Sequence, residues 1–351
     1  MTRTAGANRA PPPTAFDAIA ADYDARFSDH PIARRLRARV WSAAETVFPP
    51  GAAILDIGCG TGIDAWHLAA RGFDVVGIDP SAAMVAVARA RAAAVGDPGG
   101  DGAGTGELVD SQPGGTEGGR NLAEGQPRSQ AGAREALRGA PPRFVVGTVP
   151  EWAASLAPHG TSTARMAEQS ARFDGALAPQ GASAEETAPP PARFDGALAN
   201  FGSLNAVPDL PVLGASLAVL LRPGAPLVAV VMGPFCAWET AFYAAHRDPR
   251  RAVRRWRSRG APADLGAGAF TVRYPGPAAL ARALSPWFRL VRHGGLGVVL
   301  PPTWAVGPAG WLVAGPPRRL ALVDRLDAAL GALRASSYIA DHYLAVLERR
   351  P

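Results

Sequence analysis

The sequence predicts an α/β fold, with a mostly parallel sheet that carries helices on both faces. The first sign is an apolar segment, Ile54–Ile57, that runs into a glycine-rich turn followed by the helix-like Ile63–Ala69. The second is another apolar segment, Asp74–Asp79, whose terminal acid stands about 20 residues after the turn, the spacing of nucleotide-binding β-α-β units. The third is that the apolar runs are continuous, which is typical of strands buried on both faces.

The glycine-rich turn reads Asp56-Ile57-Gly58-Cys59-Gly60-Thr61-Gly62. Glycine lets the backbone come close to a ligand, because a Cβ atom would block the approach or forbid the dihedral angles. The start of the following helix leaves N–H groups available to polar or anionic ligand atoms. An acid at the position of Asp79 accepts hydrogen bonds from ribose hydroxyls in such units. We therefore expect a nucleotide-type cofactor at this turn.

The spacing of the glycines separates two classes of cofactor. A dinucleotide fingerprint reads G-x-G-x-x-G, and that frame places its last glycine at Ile63, whereas the third glycine stands at Gly62. The D-x-G-x-G-x-G string with Asp79 resembles the class I methyltransferases, which bind S-adenosylmethionine. The resemblance implies a Rossmann-like domain with a seven-stranded sheet and an antiparallel C-terminal edge strand. It also implies S-adenosylmethionine as the cofactor and a methyl acceptor as the substrate.

The resemblance also implies roles for individual residues. The three glycines allow close approach of the cofactor, Asp56 orients the turn and the amino-acid end of the cofactor, and Asp79 holds the ribose hydroxyls. The loop after the fourth strand edges the place where the methyl group meets its acceptor. The predicted cofactor-binding residues are Tyr23, Asp56, Gly58, Cys59, Gly60, Gly62, Asp79, Thr148, Val149, Asn200 and Phe201.

The segment Phe16–Asp24 has the pattern of an amphipathic helix followed by an aromatic residue. It resembles the same segment in the methyltransferases of ubiquinone and menaquinone synthesis and their small-molecule relatives. In those families the segment lies over the cofactor, with the residue at the position of Tyr23 near the methionine end. The alternative is an N-terminal helix that simply packs on the sheet.

The third strand, predicted over 143–147, is where the sequence departs from the family pattern. The family usually carries an acid after this strand that reads the adenine amino group, whereas this chain has Thr148. Backbone groups near Val149 or the ring of Trp152 remain as alternatives for holding the base.

The domain organisation is predicted as a disordered tail over 1–15 and one methyltransferase domain over 16–351. Gly, Pro, Ser, Gln and charged residues dominate 96–142 and 157–191, and segments of that kind cannot bury enough apolar surface to offset their ordering entropy. We interpret both as disordered inserts. The connection over 233–286 is unusually long and carries Trp and Tyr residues, so we expect it to be a cap over the substrate.

The remaining elements follow from composition and capping signals. The segment Ala171–Ala178 recurs at Ala192–Ala199, and we place the fourth strand in the second copy because it continues into Asn200 and Phe201. Helices are predicted over 31–48, 82–94, 210–221 and 321–333, with Ser81 as the cap of the second and Asp209 as the cap of the third. Further strands are predicted over 226–232, from 288 onwards, and over 343–348.

Charge and composition bear on partners and compartment. The net charge is +6 and all 36 basic residues are arginines, which the codon usage of a GC-rich genome explains more simply than a polyanionic partner. The arginines of 34–39 and of 250–257 are interpreted as solvated helix faces, with phosphate or carboxylate binding as the alternative for the second group. Two cysteines give no disulfide framework, which indicates a reducing, cytoplasmic compartment.

Several other classes of protein are not indicated by the sequence. Residues 1–15 lack the apolar core of a secretory signal, and the apolar stretches are interrupted before they reach transmembrane length. No N-P-P-[YF] string follows the fourth strand, so a nucleic-acid substrate is not expected. No H-x-x-x-H or C-x-x-C spacing suggests a metal site. His246, His293 and His342 stand isolated, and methyl transfer from a sulfonium needs little more than alignment and a deprotonated acceptor.

The sequence therefore predicts an S-adenosylmethionine-dependent methyltransferase that acts on a small-molecule acceptor. Two alternatives remain, namely an NAD(P)-dependent oxidoreductase on a similar unit and a non-catalytic module that has kept the cofactor fold. The identity of the acceptor, any catalytic residue and the oligomeric state are left open by the sequence.

Overall fold

A seven-stranded sheet forms the centre of the structure, a computed structural model that describes residues 14–96, 140–156, 193–257, 259–265 and 268–351. The described strands are β1 (Ala53–Ile57), β2 (Asp74–Asp79), β3 (Arg143–Val146), β4 (Gly196–Ala199), β5 (Pro226–Met232), β6 (Ala261–Asp264), β7 (Ala269–Val272), β8 (Phe288–Leu296) and β9 (His342–Arg349). Strands β6 and β7 form a separate antiparallel hairpin, and the other strands make up the large sheet.

Helices connect these strands and cover the sheet. They are α1 (Pro31–Val47), α2 (Ile63–Ala70), α3 (Ala82–Gly96), α4 (Val149–Leu156), α5 (Leu210–Leu220), α6 (Ala237–Ala245), α7 (Pro249–Ala252), α8 (Pro277–Leu284), α9 (Val306–Val313) and α10 (Pro317–Gly331). Short 3-10 turns cover Asp17–Asp22, Ser203–Asn205, Arg254–Trp256 and Arg334–Tyr338, and a π-helical turn covers Asp24–Ser28. Within the described ranges, no helix is long and apolar enough to cross a membrane.

The strand order in the sheet is β3-β2-β1-β4-β5-β9-β8. Neighbouring strands from β3 to β5 are parallel, and β9 runs antiparallel to both β5 and β8. The predicted seven strands and the antiparallel C-terminal pair are therefore confirmed, with β9 lying between β5 and the outermost strand β8. The order reverses between β1 and β4, and ligands of such sheets bind at this reversal, outside the carboxyl ends of the strands.

Each face of the sheet carries its own apolar core, because side chains alternate between the faces along a strand. Leu55 and Ile57 point to the face covered by α4, α5 and α8. Ile54 points to the other face, which is covered by α1, α2 and α3. The helix starts match their sequence signals: Asp209 accepts a hydrogen bond from the N–H of Val212 at 2.9 Å and caps α5 as predicted.

The predicted inserts lie outside the described residues, apart from Gly96 and 140–142, as does the first copy of the repeated segment at 171–178. The predicted N-terminal tail does too, apart from Thr14 and Ala15.

The long connection between β5 and β8 is fastened to the sheet by a buried ion cluster. Arg255, whose side chain is 4% exposed, pairs with Glu239 of α6 at 2.9 Å and with Asp341 at 2.6 Å. Arg254 makes a second ion pair with Glu239 at 2.7 Å. Burial raises the pKa of Asp341, but the charges of His342 and Arg255 outweigh it and hold that pKa below its usual value. The interpretation of this arginine group as solvated is therefore wrong for Arg255.

Helix α1 holds α10 through a second set of ion pairs. Arg39 contacts the carboxylates of Asp324 and Asp327, and the side chain of Asp327 is fully buried. Arg35 also pairs with Asp324, at 3.1 Å. The prediction that the arginines of α1 are solvated is wrong for Arg39, because it lies between two helices rather than on an open face. Arg34, at 67% exposure, does face solvent.

The buried cluster gives a prediction about stability. We expect Arg255→Met to lower the free energy of unfolding by about 3–5 kcal/mol, because the substitution leaves buried carboxylates without their charge partner. Urea unfolding of the full chain measures this difference. The matched control is Arg250→Met in the same arginine group, an exposed residue whose substitution should change stability by no more than about 0.5 kcal/mol. Equal effects of the two variants would contradict the structural role of Arg255.

Candidate functional site

Two adjoining cavities open at the point where the strand order reverses. The first, called here the polar cavity, is lined by the glycine turn after β1, by Asp79 and Pro80 after β2, and by the loop 200–206 after β4. Tyr23 and Arg37 close it from the N-terminal side. The site therefore lies where the topology predicts a ligand, at the carboxyl ends of β1, β2 and β4.

The glycine turn uses its glycines in different ways. Gly60 has a φ of +52°, and a Cβ atom there would meet nothing within 4 Å, so its backbone faces open space in the polar cavity. Gly62 has a φ of +79° and begins α2, but a Cβ atom there would lie 2.9 Å from the Cβ of Ala88 and 3.0 Å from the ring of Phe144. Gly62 thus permits close packing of α3 and β3 and does not line the cavity, whereas Gly58, Cys59 and Gly60 do.

Asp79 joins the turn to the second strand and lines the polar cavity, as predicted for an acid that faces the ligand. One carboxylate oxygen accepts from the N–H of Gly60 at 2.9 Å, and the other accepts from the N–H of Ser81 at 2.8 Å. Burial raises the pKa of Asp79, while these two N–H donors favour the charged form. Each carboxylate oxygen has a further lone pair, so both can still accept a hydroxyl donor from a ligand.

Arg37 is the cation of the polar cavity, and the prediction that it is solvated is wrong. It donates to Asp64 at 2.6 Å, and the two side chains are 12% and 8% exposed. Asp64 also accepts from Trp41 at 2.7 Å and from Asn200 at 3.0 Å. Burial alone would lower the pKa of Arg37, but the neighbouring Asp64 raises it by more, so the pKa is raised on balance and the guanidinium keeps its charge. Its carbon lies 4.9 Å from the centre of the Phe201 ring.

Several buried polar atoms around the polar cavity have no hydrogen-bond partner. Nε of Arg37 and the hydroxyl oxygens of Ser28 and Ser203 belong to residues that line the cavity. Buried polar groups are nearly always hydrogen-bonded in folded proteins, so unpartnered ones at a cavity wall indicate a polar ligand. The residues present therefore fit a group that carries both donors and acceptors.

Asp56 lies behind the glycine turn rather than in the cavity wall. It is 1% exposed, and one of its carboxylate oxygens has no partner. Burial and the nearby charge of Asp64 raise the pKa of Asp56 well above its usual value. Asp56 does not line the polar cavity, so its predicted roles in orienting the turn and the amino-acid end of the cofactor stay predictions.

The N-terminal segment lies over the polar cavity and is fastened to it at two points. Asp17 accepts from the hydroxyl of Ser81 at 2.7 Å and from the N–H of Ala83 at 3.0 Å. Asp24 accepts from the hydroxyl of Thr61, which belongs to the glycine turn, at 2.7 Å. Tyr23, between these two anchors, lines both cavities. The segment forms 3-10 and π-helical turns in place of the predicted amphipathic helix.

The second cavity, called here the apolar cavity, adjoins the first and shares Phe16, Tyr23 and the loop that starts at Phe201. Its own wall comes from Phe27 of the π-helical turn, from Met232 of β5, and from the β6–β7 hairpin with Leu265, Phe270 and Val272. The rings of Phe16 and Phe270 lie 5.2 Å apart, so the N-terminal segment and the hairpin meet over this cavity.

The polar side chains of the apolar cavity offer no charge to a ligand. The amide of Asn205 donates to the carbonyl oxygen of Met232 and accepts from the N–H of the same residue, each at 2.9 Å. It also donates to the carbonyl of Arg273. Among the described residues that line this cavity, Tyr23 is the one titratable group. Burial raises the pKa of Tyr23, so its hydroxyl stays protonated.

The residues after β3 do not line either cavity. The N–H of Thr148 donates to the carboxylate of Glu151 at 2.9 Å, and Val149 is 3% exposed. Trp152 packs edge-on against Phe194 at 5.6 Å within the apolar core, so its ring does not form a platform for a base. The predicted site residues Thr148 and Val149 are thus separated from Gly58, Asp79, Asn200 and Phe201, which the structure brings together.

Sequence reasoning missed Arg37, Asp64, Ser28 and Ser203. A signal existed for Asp64, because it stands in the first turn of α2 directly after the glycines. A weaker signal existed for Arg37. It stands four residues before Trp41, so the two side chains share a helix face, and a large aromatic residue on that face indicates that the face packs against the protein. The two serines carry no pattern that separates them from other loop serines.

The fold and the site together define a class of protein, a Rossmann-like α/β domain with a polar cavity at the strand reversal and an apolar cavity beside it. Residues 27–266, more than half of the chain, match the family described as "Methyltransferase domain". The chain therefore belongs to this methyltransferase family. Methyltransferases of this fold bind S-adenosylmethionine as a class.

The structure is also similar to individual solved structures of methyltransferases. The structure is similar to the CcbJ methyltransferase from Streptomyces caelestis, with 15% identity, a TM-score of 0.48, and 97% of this chain and 99% of that chain covered. A methyltransferase from Methanosarcina mazei described as S-adenosylmethionine-dependent gives 16% identity and a TM-score of 0.44, with 88% and 96% covered. A chain of the complex between the Haloferax volcanii Trm112 methyltransferase activator and a methyltransferase gives 14% identity and a TM-score of 0.44, with 96% and 97% covered. No curated protein sequence matches the chain.

Proposed function

We propose that the protein transfers the methyl group of S-adenosylmethionine to a small, uncharged and largely apolar acceptor. The observation that carries this proposal is the pair of adjoining cavities that share Phe16, Tyr23 and Phe201. One cavity has buried polar atoms without partners, as a polar cofactor requires, and the other is apolar. A cofactor in the first cavity would therefore adjoin an acceptor in the second.

The residues of the polar cavity divide between two parts of the cofactor. Asp79 would accept hydrogen bonds from the ribose hydroxyls, since each of its oxygens keeps a free lone pair. Arg37, with an unpartnered N–H, would bind the carboxylate of the amino-acid end, and Ser28 and Ser203 offer hydroxyls nearby. Cys59 contributes shape rather than reactivity, because burial raises the pKa of its thiol well above the usual value.

The apolar cavity selects an acceptor without charge. An ionic group there would lose its water and find no described counter-charge in the wall, which is costly. When bound, the cofactor supplies an electrophilic methyl group, so the residues of this chain need to hold the acceptor in line and exclude water. Tyr23 can donate or accept a hydrogen bond but cannot take up a proton readily, because its hydroxyl is already protonated. The acceptor should therefore be nucleophilic without a protein base.

Cofactor choice tests the proposal first. We expect calorimetry to show binding of S-adenosylmethionine and its demethylated product, with NAD and NADPH silent. Binding of NADPH alone would favour the oxidoreductase alternative and would overturn the proposal. Binding without methyl transfer to any member of a panel of uncharged acceptors would favour the non-catalytic module.

Asp79 gives the sharpest test of the cofactor position. We expect Asp79→Ala to weaken cofactor binding by roughly one to three orders of magnitude, because hydrogen bonds to a carboxylate are worth about 1.5–3 kcal/mol each. Asp79→Asn should be milder, since the amide oxygen still accepts one bond. The alanine variant should also lose about 1–3 kcal/mol of unfolding free energy, because two backbone N–H groups lose their acceptor.

Asp74→Ala is the matched control for this test. Asp74 stands at the opposite end of the same strand and its side chain is 47% exposed, so calorimetry should find the cofactor affinity of the control unchanged. Wild-type affinity in Asp79→Ala would show that the cofactor does not rest on this acid.

The raised pKa of Asp79 predicts a dependence of cofactor affinity on pH. Burial raises this pKa, so the carboxylate takes up its proton at a higher pH than an exposed aspartate does. Protonation removes an acceptor for the ribose hydroxyls, and affinity should therefore be full at neutral pH and fall as the pH drops through the raised pKa. A titration of affinity against pH measures this, and Asp79→Asn should flatten that part of the profile. A wild-type profile that coincides with the profile of Asp79→Asn would contradict it.

A substitution of Phe270 tests acceptor binding independently of cofactor binding, because this residue lines only the apolar cavity. We expect Phe270→Ala to lower kcat/KM for an uncharged acceptor by about 10–100-fold. This corresponds to about 1.5–3 kcal/mol for an apolar side chain, here half-buried, that a bound acceptor would cover. Cofactor affinity should stay as in wild type. Phe235→Ala is the control, because this ring packs against Trp256 outside the described cavity walls. Turnover confined to carboxylate-bearing acceptors would refute the assignment of this cavity.

A further inference from the structure

The outward face of helix α10 is apolar although it faces solvent. Leu322, Leu326 and Leu330 are 60%, 49% and 42% exposed, and Leu333 just beyond the helix is 58% exposed. A spacing of four residues places side chains on one face of a helix, so the leucines form a continuous stripe about 16 Å long. Single exposed leucines need no explanation, whereas an aligned set marks a surface that another phase or molecule covers. We call this set the leucine stripe.

An exposed tryptophan adjoins the leucine stripe at the start of α10. Trp311 of α9 is 64% exposed, and the guanidinium carbon of Arg319 lies 4.2 Å from the centre of its ring. Arg319 also donates to the carbonyl oxygen of Trp311 at 2.9 Å, which fixes α9 against the first turn of α10. A tryptophan ring with a polar N–H suits the boundary between water and an apolar phase.

The charge around the leucine stripe is positive. Residues 311–340 contain four arginines and two aspartates. The aspartates, Asp324 and Asp327, pair with Arg39 of α1 on the inner side of α10. Arg318, Arg325 and Arg334 are exposed. The outer surface therefore combines an apolar stripe with cations and has no uncompensated acid among the described residues of this segment.

A second copy of the chain does not suit this surface. In an antiparallel symmetric pair, Arg318 would approach the end that carries Arg334, and Arg325 would approach its own counterpart. In a parallel pair each arginine would face itself. Like charges set against each other in this way disfavour self-association. The stripe itself carries no hydrogen-bonding side chain by which one particular protein would be recognised.

We propose that the leucine stripe and Trp311 bind an anionic phospholipid surface, with the bordering arginines on the lipid phosphates. Apolar side chains of this kind enter the boundary between headgroups and acyl chains, and arginine pairs with phosphate through parallel hydrogen bonds. The binding is peripheral, since the helix lies in the plane of the surface.

Vesicle sedimentation of the full chain tests the proposal. We expect binding to vesicles of phosphatidylcholine and phosphatidylglycerol in equal parts to be roughly 100-fold tighter than to phosphatidylcholine alone at low salt, at about 1 kcal/mol per arginine near the surface. High salt should reduce the difference, because exposed charges are screened. A wild-type chain that stays in the supernatant with both kinds of vesicle would overturn the proposal.

Substitutions on the exposed face should change vesicle binding without changing the fold, so the melting temperature measures the fold separately. The triple variant Leu322→Ser, Leu326→Ser and Leu330→Ser should lose vesicle binding with an unchanged melting temperature. Arg318→Gln with Arg325→Gln should lose most of the preference for phosphatidylglycerol. The control is Val253→Ser with Trp256→Ser, which are 37% and 57% exposed in the connection before β6, and it should bind like wild type. Vesicle binding that survives the triple variant refutes the stripe. A dimer in sedimentation equilibrium that the triple variant splits would assign the face to a second copy instead, and binding to polyglutamate without binding to vesicles would assign it to an acidic protein.

Discussion

The carboxylate of Asp79 is the point on which the candidate site depends. It accepts one N–H from the turn after β1 and one from the residue that precedes α3, so a single side chain fixes the ends of two strands and the start of a helix. Ser81 then donates to Asp17, which extends the same network into the N-terminal segment over the cavity. The floor and the cover of the polar cavity are therefore held by one chain of hydrogen bonds. Its cost is the burial of a charge, which the two backbone donors offset only in part, since the pKa of Asp79 stays raised.

The parts of this arrangement that sequence reasoning predicted are local ones. The β1-turn-α2-β2 unit was predictable because its apolar runs and its closely spaced glycines lie within a few residues of each other in the sequence. The predicted strands of the large sheet and the antiparallel pair at its edge follow for the same reason, with boundaries that differ from the structure by a few residues. Asp209 and Ser81 could be assigned as caps because the capping residue stands next to the helix that it caps.

The parts that sequence reasoning missed depend on partners that are distant in the chain. Arg37 is buried because Asp64 reaches it from another helix, and Arg255 is buried because it pairs with Asp341, which lies beyond three further strands in the chain. In the sequence, each of these arginines stands in a group that also holds an exposed one, such as Arg34 or Arg250, so composition predicts solvated faces for the whole group. Trp152 is the opposite case. The sequence offered its ring as a platform for a ligand base, but the ring packs on Phe194, a residue distant in the chain, in the core.

Helix α1 contacts both the polar cavity and helix α10, which carries the proposed lipid-binding surface. Arg37 and Arg39 are two residues apart, which separates their side chains by about 200° around the helix. One therefore reaches Asp64 at the polar cavity, and the other reaches Asp324 and Asp327 on the inner side of α10. Because Arg39 neutralises the two aspartates, the outer side of α10 carries arginines and leucines, which suits an extended anionic surface.

The apolar cavity has no described charge in its wall and is bounded by aromatic rings, which suits a small neutral molecule. Since an apolar acceptor partitions into lipid, placing the protein at a lipid surface would raise the acceptor concentration at the cavity without any change in the site.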